Sequence, residues 1–376
     1  MIHIGSNFDS GNVQVIQNNG PSDIRLHIRK DAGGVHSQWF HFRLTGAGGK
    51  QCRISLDNAG QTSYPKGWEN YAAVASYNRE YWFRVPTTYQ DGKLIIQHRP
   101  KTDLIWYAYF APYSHERHHR LIGQTVVCDY AKYHRLGATI DGNDLDMIQL
   151  GTPTAENRKL WLIARQHPGE SMAEWWMEGF LHRMIDSKDA LVRTLLQKGV
   201  FYIVPNMNPD GSIRGHLRCN AVGANLNREW QNPTVERSPE VLYTRNKMDL
   251  LGCDFCLDIH GDEALPYNFV AATEGIPSWT ERLAKLTKQF QDAQERANPD
   301  FQQVHGYKKD LPRKANMTVC AAQIAQRFDC LAMTFEMPFK DNANLPEPIQ
   351  GWSPERSKKM GASAVDAIAA VIDDLR

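Results

Sequence analysis

Two hydrophobic rhythms divide the chain. From the start to about Phe110, apolar positions recur every second residue: Ile24, Leu26 and Ile28 alternate with Arg25, His27 and Arg29, and Phe40, Phe42 and Leu44 with His41 and Arg43. Further short runs at 52–56, 81–85, 94–97 and 104–110 are separated by turn formers such as Gly46-Ala47-Gly48-Gly49, Asp57-Asn58-Ala59-Gly60 and Asp91-Gly92. Strand side chains alternate between two faces, so many short alternating runs without a helical period predict an antiparallel β-sandwich. Trp39, Phe40, Trp68, Tyr81, Trp82 and Trp106 are assigned to its core.

Past Ala111 the rhythm changes. A short helix is expected at 115–122, and from Met147 onward apolar runs of strand length alternate with longer helical ones. Strands are predicted at 160–164, 200–205, 255–259, 269–272 and 330–335, with helices at 171–185, 239–251 and 279–295. A last helix opens on Ser353-Pro354-Glu355, a capping residue followed by proline in the first turn, and carries one apolar stripe through Val365, Ile368, Ala369 and Ile372. Alternation of this sort means an α/β domain with a largely parallel sheet. The expected division is residues 1–112 for the β-sandwich and 113–376 for the α/β domain.

Composition narrows the picture by exclusion. With 376 residues the chain has room for two cores, and a formal charge of +1 gives no reason to expect nucleic acid or an anionic membrane as partner. No apolar run approaches the ~20 residues of a membrane span, and the first residues lack the pattern of a secretory leader. Seven scattered cysteines, an odd number, argue against a disulfide framework and for a reducing cytoplasm. Cys253 and Cys256 form the single CxxC, inside an apolar run, and are read as small core residues. His115, His118 and His119 sit beside Arg117 and Arg120 and are read as a solvated helix face.

Chemistry gathers where the predicted strands end. The run Leu160 to Ala164 leads into His167-Pro168-Gly169-Glu170-Ser171, which puts an imidazole and a carboxylate on one loop at the carboxyl edge of a sheet, where ligands bind in open α/β folds. Both groups ligate zinc, and a hydrolytic zinc needs three protein ligands and one open position. Asn208-Pro209-Asp210-Gly211 reads as a tight turn. Arg218 and the run Asn225-Leu226-Asn227-Arg228 offer forked donors suited to a carboxylate. Asp258-Ile259-His260-Gly261 delivers one histidine from a buried strand, a candidate third ligand. Thr334-Phe335-Glu336-Met337-Pro338 delivers one carboxylate from another, where burial requires a partner or a task.

In this order the five motifs resemble the zinc carboxypeptidase superfamily across the α/β region. The preceding β region and the junction Phe110-Ala111-Pro112-Tyr113-Ser114 resemble its cytosolic carboxypeptidase branch in the bacterial form. The resemblance implies a mixed sheet flanked by helices, preceded by an antiparallel β-sandwich. It implies one Zn2+ per chain, held by His167, Glu170 and His260, with Glu336 as general base for the attacking water and proton donor to the leaving amine. Arg218 would polarise the scissile carbonyl, and Asn227 and Arg228 would bind the terminal carboxylate of the substrate. Asn225 stands where many relatives carry an aspartate that orients a zinc histidine. The superfamily's substrate-capping tyrosine has no clear counterpart, Tyr307 being the nearest candidate.

The expectation is therefore a cytoplasmic zinc metallocarboxypeptidase that trims the C-termini of peptides or proteins, with self-association into a homo-oligomer compatible with the sequence. Lys308, Lys309, Arg313 and Lys314 raise an acidic side-chain preference. A zinc amidase acting on acyl-amino acids or cell-wall peptides would use much the same metal set. A non-catalytic protein that binds C-terminal tails would have no use for Glu336 beside a complete ligand triad.

Overall fold

The computed structural model describes residues 1–376. The alternating N-terminal runs form ten strands in two five-stranded sheets. One is ordered β1 (His3–Gly5), β4 (His41–Thr45), β10 (Leu104–Ala108), β6 (Val74–Ser76) and β7 (Phe83–Arg84). The other is ordered β2 (Gln14–Asn18), β3 (Ile24–His27), β5 (Cys52–Leu56), β9 (Lys93–His98) and β8 (Thr87–Gln90). Pairing is antiparallel apart from β3 with β5. Alternation seats Ile24 and Leu26 from β3, Ile54 and Leu56 from β5, and Leu94 and Ile96 from β9 inside. Of the six aromatics assigned to this core, Tyr81 is corrected: it is 51% exposed, on a turn held by the Asn78 carboxamide.

The second half is a seven-stranded mixed sheet ordered β11 (Ala131–Ala138), β12 (Asp144–Leu150), β14 (Gly199–Val204), β13 (Arg158–Ala164), β15 (Phe255–Asp262), β17 (Leu331–Pro338) and β16 (Phe269–Ala271). Only the central pairs β13–β14, β13–β15 and β15–β17 are parallel. The expectation of a largely parallel sheet thus holds for its middle, while β11, β12 and β16 make the flanks antiparallel. Strands β13, β14, β15 and β17 are almost wholly buried, which explains why they read as continuous apolar runs rather than alternating ones. The associated helices are α1 (His115–Val126), α2 (Met172–Met184), α3 (Ala190–Lys198), α4 (Pro209–Arg214), α5 (Pro239–Leu251), α6 (Glu281–Ala297), α7 (Cys320–Phe328) and α8 (Pro354–Ala369). None is long and apolar enough to cross a membrane.

Two readings change at element level. Asn208-Pro209-Asp210-Gly211 is not a tight turn but the start of α4: the Asn208 carboxamide oxygen accepts from Gly211 N–H at 3.0 Å, and proline takes the first helical position, where no N–H is needed. His118 is not on a solvated face. It is 3% exposed on α1, its Nδ1 is 2.6 Å from Glu174 of α2, and its Nε2 is 2.9 Å from Asp146 of β12. Arg117 turns out to be the outward anchor, binding Glu178 through Nε and Nη2 and lying over the Trp175 ring.

The two halves are packed together. One hydrophobic cluster runs through both, and Tyr109 stacks on Phe339 with ring centroids 4.4 Å apart. The Arg84 guanidinium donates to the carbonyls of Phe339, Gln350 and Trp352, as well as to Ala72.

Candidate metal centre and active site

Strand register explains how distant motifs meet. Ala164 pairs with Ile259 across β13 and β15, so the loop after β13 leaves the sheet beside His260. His260 in turn pairs with Glu336 on β17. The loop itself is fixed by Arg165, a non-glycine residue in the left-handed region at φ 57°. Its fully buried guanidinium donates to Pro168 O at 3.0 Å, Tyr113 O at 2.9 Å and Glu174 at 2.6 Å, which holds the turn that carries His167 and Glu170.

The three expected ligands converge. Nδ1 of His167 and Nδ1 of His260 are 3.2 Å apart, and the Glu170 carboxylate lies 2.6 Å from the first and 2.7 Å from the second. All three are buried, and their ligand atoms fall within 4.8 Å of one another. Two nitrogens about 2.0–2.1 Å from a tetrahedral zinc stand roughly 3.3 Å apart, so the imidazole spacing fits that ion. Each ring is gripped from behind through Nε2: His167 by the Asn225 carboxamide oxygen at 3.0 Å, His260 by Asp258 at 2.9 Å. In the neutral tautomer that donates from Nε2, each ring would present Nδ1 as the lone pair a metal requires. Burial and then the Arg218 guanidinium push His167 down to about 4, so it stays neutral. Burial opposes charge on His260 too, but Asp258 and Glu170 outweigh it and hold its pKa well above the ordinary value.

Glu336 lines the same cavity, of about 760 Å³, as the triad. Burial pushes its carboxyl well up, with His260 pulling the other way, and its Oε2 is buried without a hydrogen-bond partner. Arg218 and Arg228 line the cavity as well. Arg218 approaches a carboxylate only at Glu170, 3.9 Å away, and its guanidinium lies over the Tyr64 ring at 5.4 Å. Arg228 donates to Asn227 O at 2.6 Å and forms no ion pair. The Asn227 side chain accepts from Cys320 N–H at 2.8 Å and reaches His260 Nε2 at 3.4 Å. Tyr307 is half exposed at the cavity wall, with its hydroxyl donating to Asp262 at 2.7 Å. Of the four basic residues upstream of Glu336, Lys308 and Lys309 line the cavity and Arg313 and Lys314 do not.

Several groups that shape the site come from outside the motifs. Asp31, in the N-terminal half, accepts backbone N–H bonds from Leu217, Arg218 and Cys219 at 2.7, 2.8 and 2.9 Å. Tyr64 brings a second N-terminal side chain to the cavity. Neither has a spacing signal in the sequence. Arg165 and Asp258 did carry one, each being a charged residue within or directly after an apolar strand.

The sequence profile of the zinc carboxypeptidase family matches residues 125–350, and that of the cytosolic carboxypeptidase N-terminal domain matches residues 4–110. The chain belongs to the zinc carboxypeptidase family. This family member is a peptide hydrolase by descent, and it superposes over its whole length on solved bacterial relatives. A metallo-carboxypeptidase from Burkholderia cenocepacia is 48% identical with a TM-score of 0.97, each chain covering 100% of the other. One from Pseudomonas aeruginosa, in complex with (2-guanidinoethylmercapto)succinic acid, is 44% identical with a TM-score of 0.97 and the same full coverage. Cytosolic carboxypeptidase 1 of Xenopus laevis is 28% identical over 67% of this carboxypeptidase, which spans only 24% of that larger protein.

Proposed function

We propose that this carboxypeptidase removes single residues from the C-termini of peptides or proteins in the cytoplasm, using one zinc per chain held by His167, Glu170 and His260. The observation that carries the reading is the meeting, in one cavity, of this triad with the unpartnered Glu336 oxygen and with two guanidinium groups, Arg218 and the ion-pair-free Arg228. A bound zinc supplies Lewis acidity and brings the pKa of its water down toward ~7. Glu336 takes the proton from the attacking water and later delivers it to the leaving amine. Arg218 addresses the scissile carbonyl oxygen and stabilises the charge that develops there by a few kcal/mol. Asn227 and Arg228 bind the terminal carboxylate, which restricts cutting to the last bond, and Tyr307 closes over the bound end. Seven free cysteines accord with a reducing compartment.

A preference for acidic terminal residues follows from Lys308 on the cavity wall, where the neighbouring Lys309 is paired with Glu274 at 3.0 Å. Of the acidic groups on the cavity wall that none of these roles uses, Asp262 accepts from Tyr307 and Glu274 pairs with Lys309, whereas Glu263 has a buried oxygen without a partner.

Glu336→Gln is the decisive variant. It is expected to lower kcat by about 10²–10⁴-fold while zinc content stays at one per chain. Undiminished hydrolysis would remove Glu336 from the mechanism. Release rates across C-terminal residues test the side-chain preference, which fails should lysine or leucine leave as fast as glutamate. Blocked dipeptides compared with acyl-amino acids separate peptidase from amidase.

A further inference from the structure

Glu263 directly follows β15, three residues after His260, and lines the cavity while only 6% exposed. Its Oε1 is buried and has no hydrogen-bond partner. Burial pushes this carboxyl up to about 8, against the pull of the Arg218 guanidinium. A carboxylate oxygen kept from water without a donor is a persistent cost to the folded chain, and sites that retain one commonly use it.

Its position within the cavity indicates the use. Gly67, which packs against Glu263, donates its N–H to Tyr64 O at 2.8 Å, and the Tyr64 ring carries the Arg218 guanidinium at 5.4 Å. Glu263 therefore lies on the wall of the cavity that Tyr64 and Arg218 share. The wall behind it is N-terminal and tight: a Cβ placed on Gly67 would come within 3.1 Å of the Glu263 carbonyl oxygen and 3.2 Å of its Cβ. A substrate whose terminal carboxylate lies at Arg228 and whose scissile carbonyl lies at Arg218 sends its preceding residue toward Glu263.

We propose that Glu263 is a specificity-determining residue that receives a cation, ammonium or guanidinium, carried by the substrate residue on the amino side of the cut bond. Such a group donates the hydrogen bond that Oε1 lacks and offsets the charge that burial disfavours, whereas a neutral amide N–H does only the first. The cation has two sources with the same chemistry: a lysine or arginine side chain at that position, or the free α-amino group of a dipeptide. The assignment rests on the carboxypeptidase reading above.

The test uses the zinc-loaded full chain and two matched substrate pairs ending in glutamate. One pair carries lysine or norleucine before the terminal residue in an acetylated peptide. The other is a dipeptide with its amino group free or acetylated. Within one enzyme form, the kcat/KM ratio of cationic to neutral partner cancels any general loss. The wild-type chain is expected to favour the cationic partner at least tenfold in one pair, which identifies the source. Glu263→Gln should bring that ratio close to one, and Glu263→Asp, which keeps the charge, should retain part of it. A wild-type ratio near one in both pairs overturns the proposal, as does a ratio that survives Glu263→Gln. Failure of the wild-type chain to cleave any of the four overturns the peptidase reading instead, and this assignment with it.

Discussion

His167 and His260 both turn Nδ1 toward Glu170, and the groups behind them differ in charge: a neutral amide from Asn225 and a carboxylate from Asp258. Asp258 also accepts from Gln166 at 2.6 Å, so a single carboxylate fixes one ring and the residue before the other. Outer partners of this sort set ligand basicity and orientation. Asp258→Asn is expected to weaken zinc binding about 10–100-fold, read by competition with a chelator. Unchanged affinity would reduce Asp258 to a packing role. At this scale the triad and Glu336 stood out in the sequence, because each sits at the end of an apolar strand where a polar group needs a reason. Asp31 and Tyr64 did not stand out. Their partner Arg218 lies more than 150 residues away, and nothing local marks either one.

Among the elements, helices α2 and α8 touch through glycine. A Cβ at Gly179 would fall 2.0 Å from Lys358 O, and one at Gly361 would fall 1.9 Å from Trp176 O, so the two backbones lie against each other. Helix α2 begins just after Glu170, and its placement therefore helps set the height of the metal loop. Gly361→Ala is expected to destabilise the chain by about 3 kcal/mol or to force the helices apart. Urea unfolding checks this, and a midpoint equal to wild type would show that the contact yields. Helix α3 was missed despite its Asp189 cap, whereas two other missed elements have weak local signals. Strand β11 lies at the sheet edge, is half exposed along its length and shows no apolar alternation. Helix α7 has Val319 at its N-cap position and no side-chain cap, so it has no start signal. The Asn-Pro-Asp-Gly run carried a true signal with two meanings, since a turn and a helix start use the same residues.

Across the whole molecule, α1 follows the N-terminal sheets and packs on the mixed sheet, and His118 is its buried link to Glu174 of α2 and Asp146 of β12. Burial opposes charge on His118, but Glu174 and Asp146 outweigh it and raise its pKa to about 9. The stabilisation from this raised value is fully present below the unfolded pKa of about 6.5 and is lost as pH rises through about 9. It amounts to about 3 kcal/mol. Unfolding free energies at pH 7 and pH 10, for wild type and His118→Gln, measure it. The gap between the two proteins should narrow at the higher pH, and a constant gap would mean that His118 does not carry charge. We propose that the division between residues 112 and 113 is one of topology and not of independent stability, since Arg84 and the shared core tie the halves together.

Asp31 carries the consequence furthest. Its three backbone bonds to Leu217, Arg218 and Cys219 make Arg218 a tenant of the first fifty residues, although it lies far along the chain. A chimaera that grafts the N-terminal part of one relative onto the remainder of another would inherit an intact metal cradle. It would regain turnover only when the residue at 31 and the loop it grips come from the same parent.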